Sequence, residues 1–335
     1  MPVGKTKLGG LSGITYDATT KSFWSVSDDS AGHGGPSRIY QIGLKLGSKL
    51  ECTIRKVVVL RDEKGQPYSK ADCEGIAYNG RGTAWVTSEG KAGRKGAPPW
   101  LKLFSLETGK NLRSVNLPKV YLPKDDQGHP VAIESAAQTS GIGSNHSLES
   151  CALSPDRATL YIANEASLIQ EKAPGESGGA GIFNSTQIRI SAMAAGPGGR
   201  LLGEKLYISD AGCFFGSISE VVALDNEGAL LVLERRIVRL EKGTGCVGIR
   251  IYRVDFGEKN ASDLQSIQSV RGKNVTPLTK TLFYDSRGEG IEDLDNIEGL
   301  ALMPLSEGRT GLVAVSDNNF DITQQTQILL YELIR

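Results

Sequence analysis

Acidic residues recur at two fixed places along this chain, and they are its main chemical resource. One column follows a short apolar lead and holds Glu74, Glu149, Glu220 and Glu298, with Ser12 in the first copy. A second column closes the next apolar run and holds Asp28, Glu89, Glu165 and Asp317. It is broken by Arg235, with Glu234 one position earlier. Asp29, Asn164 and Asn318 add oxygen donors beside it. Carboxylates gathered at one place repel each other, by about 4 kcal/mol per pair at about 4 Å and an effective dielectric of 20. Bound cations, protonation, or pairing with Arg38 and Arg235 would offset that repulsion. An all-oxygen ligand set of irregular geometry favours a divalent cation, Ca²⁺ ahead of Mg²⁺ or Mn²⁺. The bland alternative is that these acids cap strand ends or hold a purely structural calcium.

The columns belong to a repeat. Segments beginning at Leu11, Cys73, Leu148, Ser219 and Ile297 share one plan: a small or acidic residue, an apolar run, a polar turn, and a second apolar run ending in an acidic or amide pair. Each continues into an alternating third segment, such as RIYQIGL from Arg38 or GIRIYRVDFG from Gly248, as a half-buried strand does. ECTIRKVVVL, GEKLYISD and TKTLFYDS read as fourth strands. Four short antiparallel strands repeated along a chain predict an all-β fold, a β-propeller with five visible repeats and a sixth blade left open. The whole chain, 1–335, reads as one domain with blades near 9–60, 72–122, 147–210, 217–285 and 295–335. The last repeat is short, so VGKTKL near the N-terminus is expected to supply its missing strand. In such a fold, equivalent carboxylates become a ring at one mouth of the channel.

Composition agrees. There are 41 glycines in 335 residues, which points to many tight turns. The 38 basic and 38 acidic residues cancel, which argues against nucleic acid or a membrane surface as partner. No apolar run is long enough for a membrane span, and MPVGKTKLGG has no apolar leader core. Five cysteines form no CxxC pair; bridges Cys52–Cys73 or Cys213–Cys246 are conceivable, with buried reduced thiols favoured. His33, His129 and His146 are too few for a histidine-rich metal centre. Ser177 sits in a GxSxG match without the strand and helix a nucleophile elbow requires. Gly243, Gly245 and Gly248 fit GxGxxG but precede a strand-like run, which suits a hairpin better than a dinucleotide site. The sequons at Asn145, Asn184, Asn260 and Asn274 mark surface loops only if the chain is exported.

The motifs GGLSGITYD with WSVSDD, DCEGIAY with VTSEG, NHSLESCALSPD with LYIANE, SISEVVALD with LLVLERR, and DNIEGLAL with VSDNNFD occur in order along most of the chain. This series resembles the phytase-like family described by an esterase-like activity of phytase. The resemblance implies a repeated β domain whose Glu and Asp residues carry a phosphomonoesterase or phosphodiesterase activity. Matched positions are Asp28, Asp29, Arg38, Glu74, Glu89, Asn145, Glu149, Glu165, Glu234, Arg235, Asn296, Glu298, Asp317 and Asn318. Departures are His146 and Ser147, and Ser150 in place of the glycine usual after the glutamate.

The expected function is metal-assisted hydrolysis of a small phosphorylated substrate by a monomer. Asp28, Glu74, Glu149, Glu165, Glu298 and Asp317 would hold the cation, Arg38 and Arg235 the phosphate oxygens, and Glu89 would act as general base. The alternative is a non-catalytic propeller that binds a ligand or protein and holds structural calcium. Relatives of this kind are often exported, so a periplasmic or extracellular location is expected.

Overall fold

A computed structural model describes residues 2–3, 6–47, 49–69, 71–92, 96–144, 146–172, 187–210, 215–240, 243–287 and 294–333. A short hairpin, β1 (Pro2–Val3) with β2 (Thr6–Lys7), precedes the first large sheet of β3 (Leu11–Asp17), β4 (Ser22–Ser27), β5 (Arg38–Leu46) and β6 (Leu50–Val59). The second sheet holds β7 (Cys73–Gly80), β8 (Thr83–Ser88), β9 (Trp100–Ser105) and β10 (Asn111–Val115). The third holds β11 (Leu148–Leu153), β12 (Thr159–Asn164), β13 (Gln187–Ala194) and β14 (Leu201–Ile208). In the fourth are β15 (Phe215–Ala223), β16 (Ala229–Leu240), β17 (Gly243–Asp255) and β18 (Lys280–Asp285). The fifth has three strands, β19 (Asn296–Pro304), β20 (Thr310–Asp317) and β21 (Ile328–Leu333).

Five sheets, one per repeat, make the chain an all-β, five-bladed β-propeller. Among the described residues there is no sixth blade. The expected N-terminal fourth strand of the last blade is also not formed: Pro2 and Val3 pair with Lys7 and Thr6 instead. Gly9 and Gly10 follow Leu8, and Gly10, at φ +66°, adopts the left-handed backbone just before β3. Gly243 to Gly248 lie within the long hairpin of β16 and β17. The GxSxG match around Ser177 lies outside the described residues.

The chain divides into two compact units. The first comprises Met1–Thr87, Leu101–Ser114 and Asp295–Arg335; the second comprises Ser88–Trp100 and Val115–Leu294. In the first, Leu11, Ile14, Phe23, Tyr40 and Ile42 pack with Ala301, Val313 and Val315. In the second, Ala163, Ile188, Ile190 and Tyr207 pack with Ile218, Val221, Leu230 and Val232. Strands such as β4, buried at every residue, read as unbroken small and apolar runs, whereas the outer β6 is exposed or half-buried along most of its length. Burial on both faces removes the polar alternation that a half-solvated strand shows.

Cys52, Cys73 and Cys151 are free thiols, so the Cys52–Cys73 bridge is absent. The side chains of Cys213 and Cys246 lie outside the described residues. Among the described residues no helix is long and apolar enough to cross a membrane.

Candidate metal and phosphate site

The first strand of four blades carries a register slip at the same place: between Leu11 and Gly13, Leu148 and Ser150, Ile218 and Glu220, and Ile297 and Gly299. The extra residues are Ser12, Glu149, Ser219 and Glu298. A bulge leaves one residue outside the ladder and re-aims its side chain, which is how a strand interior can present a carboxylate. This register corrects one sequence expectation. Glu220 is not in the first column; Ser219 is, and Glu220 takes the position held elsewhere by Gly13, Ser150 and Gly299. The second column stands as read, because Leu11, Leu148, Ile218 and Ile297 pair with Ser27, Asn164, Glu234 and Ser316. The next residues are Asp28, Glu165, Arg235 and Asp317.

The first unit gathers Asp28, Glu74, Glu298 and Asp317. Ser12 Oγ lies 2.5 Å from Glu74 Oε2 and 3.1 Å from Glu298 Oε2, so one hydroxyl bridges two carboxylates. Asn296 Nδ2 donates to Glu298 Oε1 at 2.8 Å. Two close approaches require glycine here. A methyl on Gly13 would collide with the carbonyl oxygen of Glu74, and one on Gly10 with Asp28 Oδ1. Burial, then the charges of Asp317, Glu298, Asp72 and Asp29, push the Asp28 carboxyl well above the usual range. Anionic neighbours and burial both favour the proton on such a group, and a bound cation would favour its removal.

Arg38 lies in this unit but faces elsewhere. Fully buried, it donates to Asp29 Oδ2 at 2.9 Å, to the Pro36 carbonyl at 3.1 Å, to the Lys7 carbonyl at 2.9 Å and to Tyr40 Oη. Burial opposes ionisation of Asp29, but the amides of Gly34 and His33 and the Arg38 guanidinium together hold it below the usual range. The geometry makes Arg38 a tie between β5, the Asp29 loop and β2.

The second unit gathers Glu89, Glu149 and Glu165, all buried, with one carboxylate oxygen of each within 4.8 Å of the others. Glu89 Oε1 accepts the Ser147 amide at 2.6 Å. Arg235 reaches Glu165 Oε1 at 2.8 Å and Glu149 Oε1 at 4.0 Å. His146 Nδ1 lies 3.2 Å from Glu165 Oε2. Burial alone would raise the Glu165 carboxyl, but the His146 hydrogen bond and the Arg235 charge outweigh it and hold Glu165 below the usual range. Ser150 accounts for the missing glycine: its hydroxyl donates to Glu220 and accepts the Val221 amide at 2.8 Å, which links β11 to β15.

His146, one of three histidines in the chain, sits against a column glutamate although it belongs to no histidine cluster in the sequence. Its place in NHSLES, three residues before Glu149, was the available signal. Asn145 lies outside the described residues. Glu234 stands apart from the acid group; it accepts from Tyr207 Oη at 2.5 Å and Lys280 Nζ at 2.7 Å.

Asp210 shares Lys280 at 2.7 Å and also accepts from Arg250 and Tyr252, both at 2.5 Å. Burial opposes its ionisation, but these partners win and lower its carboxyl from 3.8 to about 2. A depressed folded-state value means stability present above the unfolded value and lost as pH falls through the folded one. Asp210→Asn is therefore expected to remove stability at neutral pH and to flatten the acid limb between 3.8 and about 2. Urea midpoints measured across that range check it, and an unchanged acid limb would contradict it.

The group Glu89, Glu149 and Glu165 could hold a metal ion, and its oxygen donors fit a hard cation. The family profile described as "Phytase-like: Esterase-like activity of phytase" matches residues 6–320. The chain therefore belongs to the phytase-like family. No curated protein matches it. Among solved structures it is similar to the xylan β-1,4-xylosidase from Bacillus halodurans C-125, at 13% identity and TM-score 0.50, covering 97% of this chain and 53% of that one. It thus spans about half the length of that chain. A native arabinanase of Bacillus subtilis matches at 11% identity and TM-score 0.46, covering 99% and 96%. At such identities the first likeness concerns fold alone.

Proposed function

We propose that the chain is a phosphoric ester hydrolase assisted by a divalent cation, with Ca²⁺ first and Mg²⁺ or Mn²⁺ behind it. The observation that supports this reading most is the buried trio Glu89, Glu149 and Glu165 with Arg235 beside it in an otherwise neutral, phytase-like chain. In the second unit Glu149 and Glu165 would hold the cation. In the first, Asp28, Glu298 and Asp317 would do so, with Glu74 behind Ser12. When bound, the cation would polarise the phosphoryl group and lower the pKa of a bound water.

Arg235 places positive charge against Glu165 and, with it, against an incoming phosphoryl oxygen. Glu89, anchored through Oε1 to the Ser147 amide, accepts the proton of the attacking water at its other oxygen. Arg38 enters as a positioning residue for Asp29, not as a phosphate contact. We place the protein in the periplasm or outside the cell, acting as a monomer on a small phosphorylated substrate.

The test is turnover of mono- and diester substrates with Ca²⁺, Mg²⁺ or Mn²⁺, compared with a Glu149→Gln plus Glu165→Gln control. Turnover well above that control, abolished by chelation, is expected. No turnover, with chelation lowering the melting temperature, would favour a binding propeller with structural calcium.

A further inference from the structure

Three serine hydroxyls beside the second unit's acid group make no hydrogen bond: Ser147 Oγ, Ser217 Oγ and Ser219 Oγ. All three residues are at most 2% exposed. Buried hydroxyls normally have a partner, and each one without one asks for an explanation. Their positions are fixed by backbone bonds. The Glu165 amide donates to the Ser147 carbonyl at 2.7 Å, and the Ile218 amide donates to the Glu165 carbonyl at 3.2 Å.

Ser217 precedes Ile218 in the regular ladder, so it turns to the face opposite that core-packed side chain. Ser217 is also the direct cross-strand partner of Arg235, and opposed residues in an antiparallel pair project to one face. Ser219 is the bulge residue of its blade, at the position that Glu149 occupies in the preceding one. Ser217 therefore shares a face with Arg235, while backbone bonds hold Ser147 and the Ser217–Ser219 stretch next to Glu165.

We propose that Ser147, Ser217 and Ser219, next to Arg235, form the edge that receives the non-bridging oxygens of a phosphoryl group. This rests on the hydrolase reading above and adds the residues that hold its substrate. The carboxylates there can only accept hydrogen bonds when ionised, and none takes a bond from these hydroxyls. Three unused O–H donors beside a guanidinium suit a ligand made of acceptors, and a tetrahedral oxyanion presents them in a cluster. A cation on Glu149 and Glu165 would offset the repulsion between that anion and the acids.

The test is calorimetric titration of inorganic phosphate into the full chain saturated with Ca²⁺, comparing wild type with Ser217→Ala plus Ser219→Ala, and separately with Ser147→Ala. Removing a hydroxyl creates no new charge and little volume change. The expected result is a phosphate Kd weakened about tenfold or more in the double variant, with the Ca²⁺ Kd within about twofold and the melting temperature unchanged. An unchanged phosphate Kd, or no phosphate binding by the wild type, would overturn the proposal. So would a parallel loss of Ca²⁺ affinity, since the hydroxyls would then serve the cation or an internal water. Serine-dependent phosphate binding without turnover of any ester would leave this edge standing and sink the hydrolase reading instead.

Discussion

Arg189→Met is expected to lower the unfolding free energy by about 3–5 kcal/mol, the range for leaving buried charges without their partner. Arg189 is 1% exposed and lies between two equally buried acids. Its Nε and NH2 donate to Glu171 Oε1 at 3.0 and 2.5 Å, and NH1 donates to Glu204 Oε2 at 2.5 Å. NH2 also reaches the Ile267 carbonyl at 2.9 Å. Glu171 in turn accepts the Val270 amide at 2.7 Å, so the arginine ties a surface loop to β13 and β14. Burial already pushes the Glu204 carboxyl upward despite Arg189.

Without the guanidinium the Glu204 carboxyl would rise further above its unfolded value. Stability of the variant would then increase as pH falls, and its deficit would narrow. Urea unfolding at neutral and mildly acidic pH checks both the size and the trend. A deficit under about 1 kcal/mol at neutral pH, or one that widens in acid, would contradict this reading.

Glu89→Gln is expected to lower kcat on a phosphate ester by about 10²–10⁴, the usual contribution of a positioned base. The amide keeps the shape and can still accept the Ser147 amide, so folding and Ca²⁺ affinity should change little. Glu149→Gln should behave differently, weakening Ca²⁺ binding and losing activity that excess Ca²⁺ partly restores. The pair separates a proton acceptor from a ligand. Similar kinetic losses in both, neither relieved by metal, would count against the assigned roles.

The blade plan was readable because every repeat keeps one short apolar lead and one acid or amide terminus, and those features are local. What the residues could not show was register. Aligning the repeats on their acids put Glu220 in the first column. Aligning them on the apolar residue before the bulge, Leu11, Cys73, Leu148, Ile218 and Ile297, would have put Ser219 there. A bulge inserts one residue without marking itself in composition, so the hydrophobic phase is the safer guide.

Arg38 was legible as a charge near Asp28 but not as a buried tie, since its partners Lys7 and Pro36 offer backbone carbonyls that have no side-chain signature. The three serines were invisible for a related reason. Serine is common and unremarked in strands, and only the lack of any partner at full burial, together with backbone contact to the Glu165 region, sets these apart. The local hairpin that takes the place of that strand could not be foreseen from VGKTKL, because nothing in its own pattern marks Thr6 and Lys7 as partners of Val3 and Pro2.

On the proposed reading, buried carboxylates of separate strands share a cation. Anomalous diffraction from crystals soaked in Mn²⁺ tests it most directly. A peak within about 2.5 Å of oxygens from both Glu149 and Glu165 is the predicted result. Bound Mn²⁺ seen only at surface carboxylates, with Glu149 and Glu165 satisfied by Arg235 and His146 alone, would contradict it.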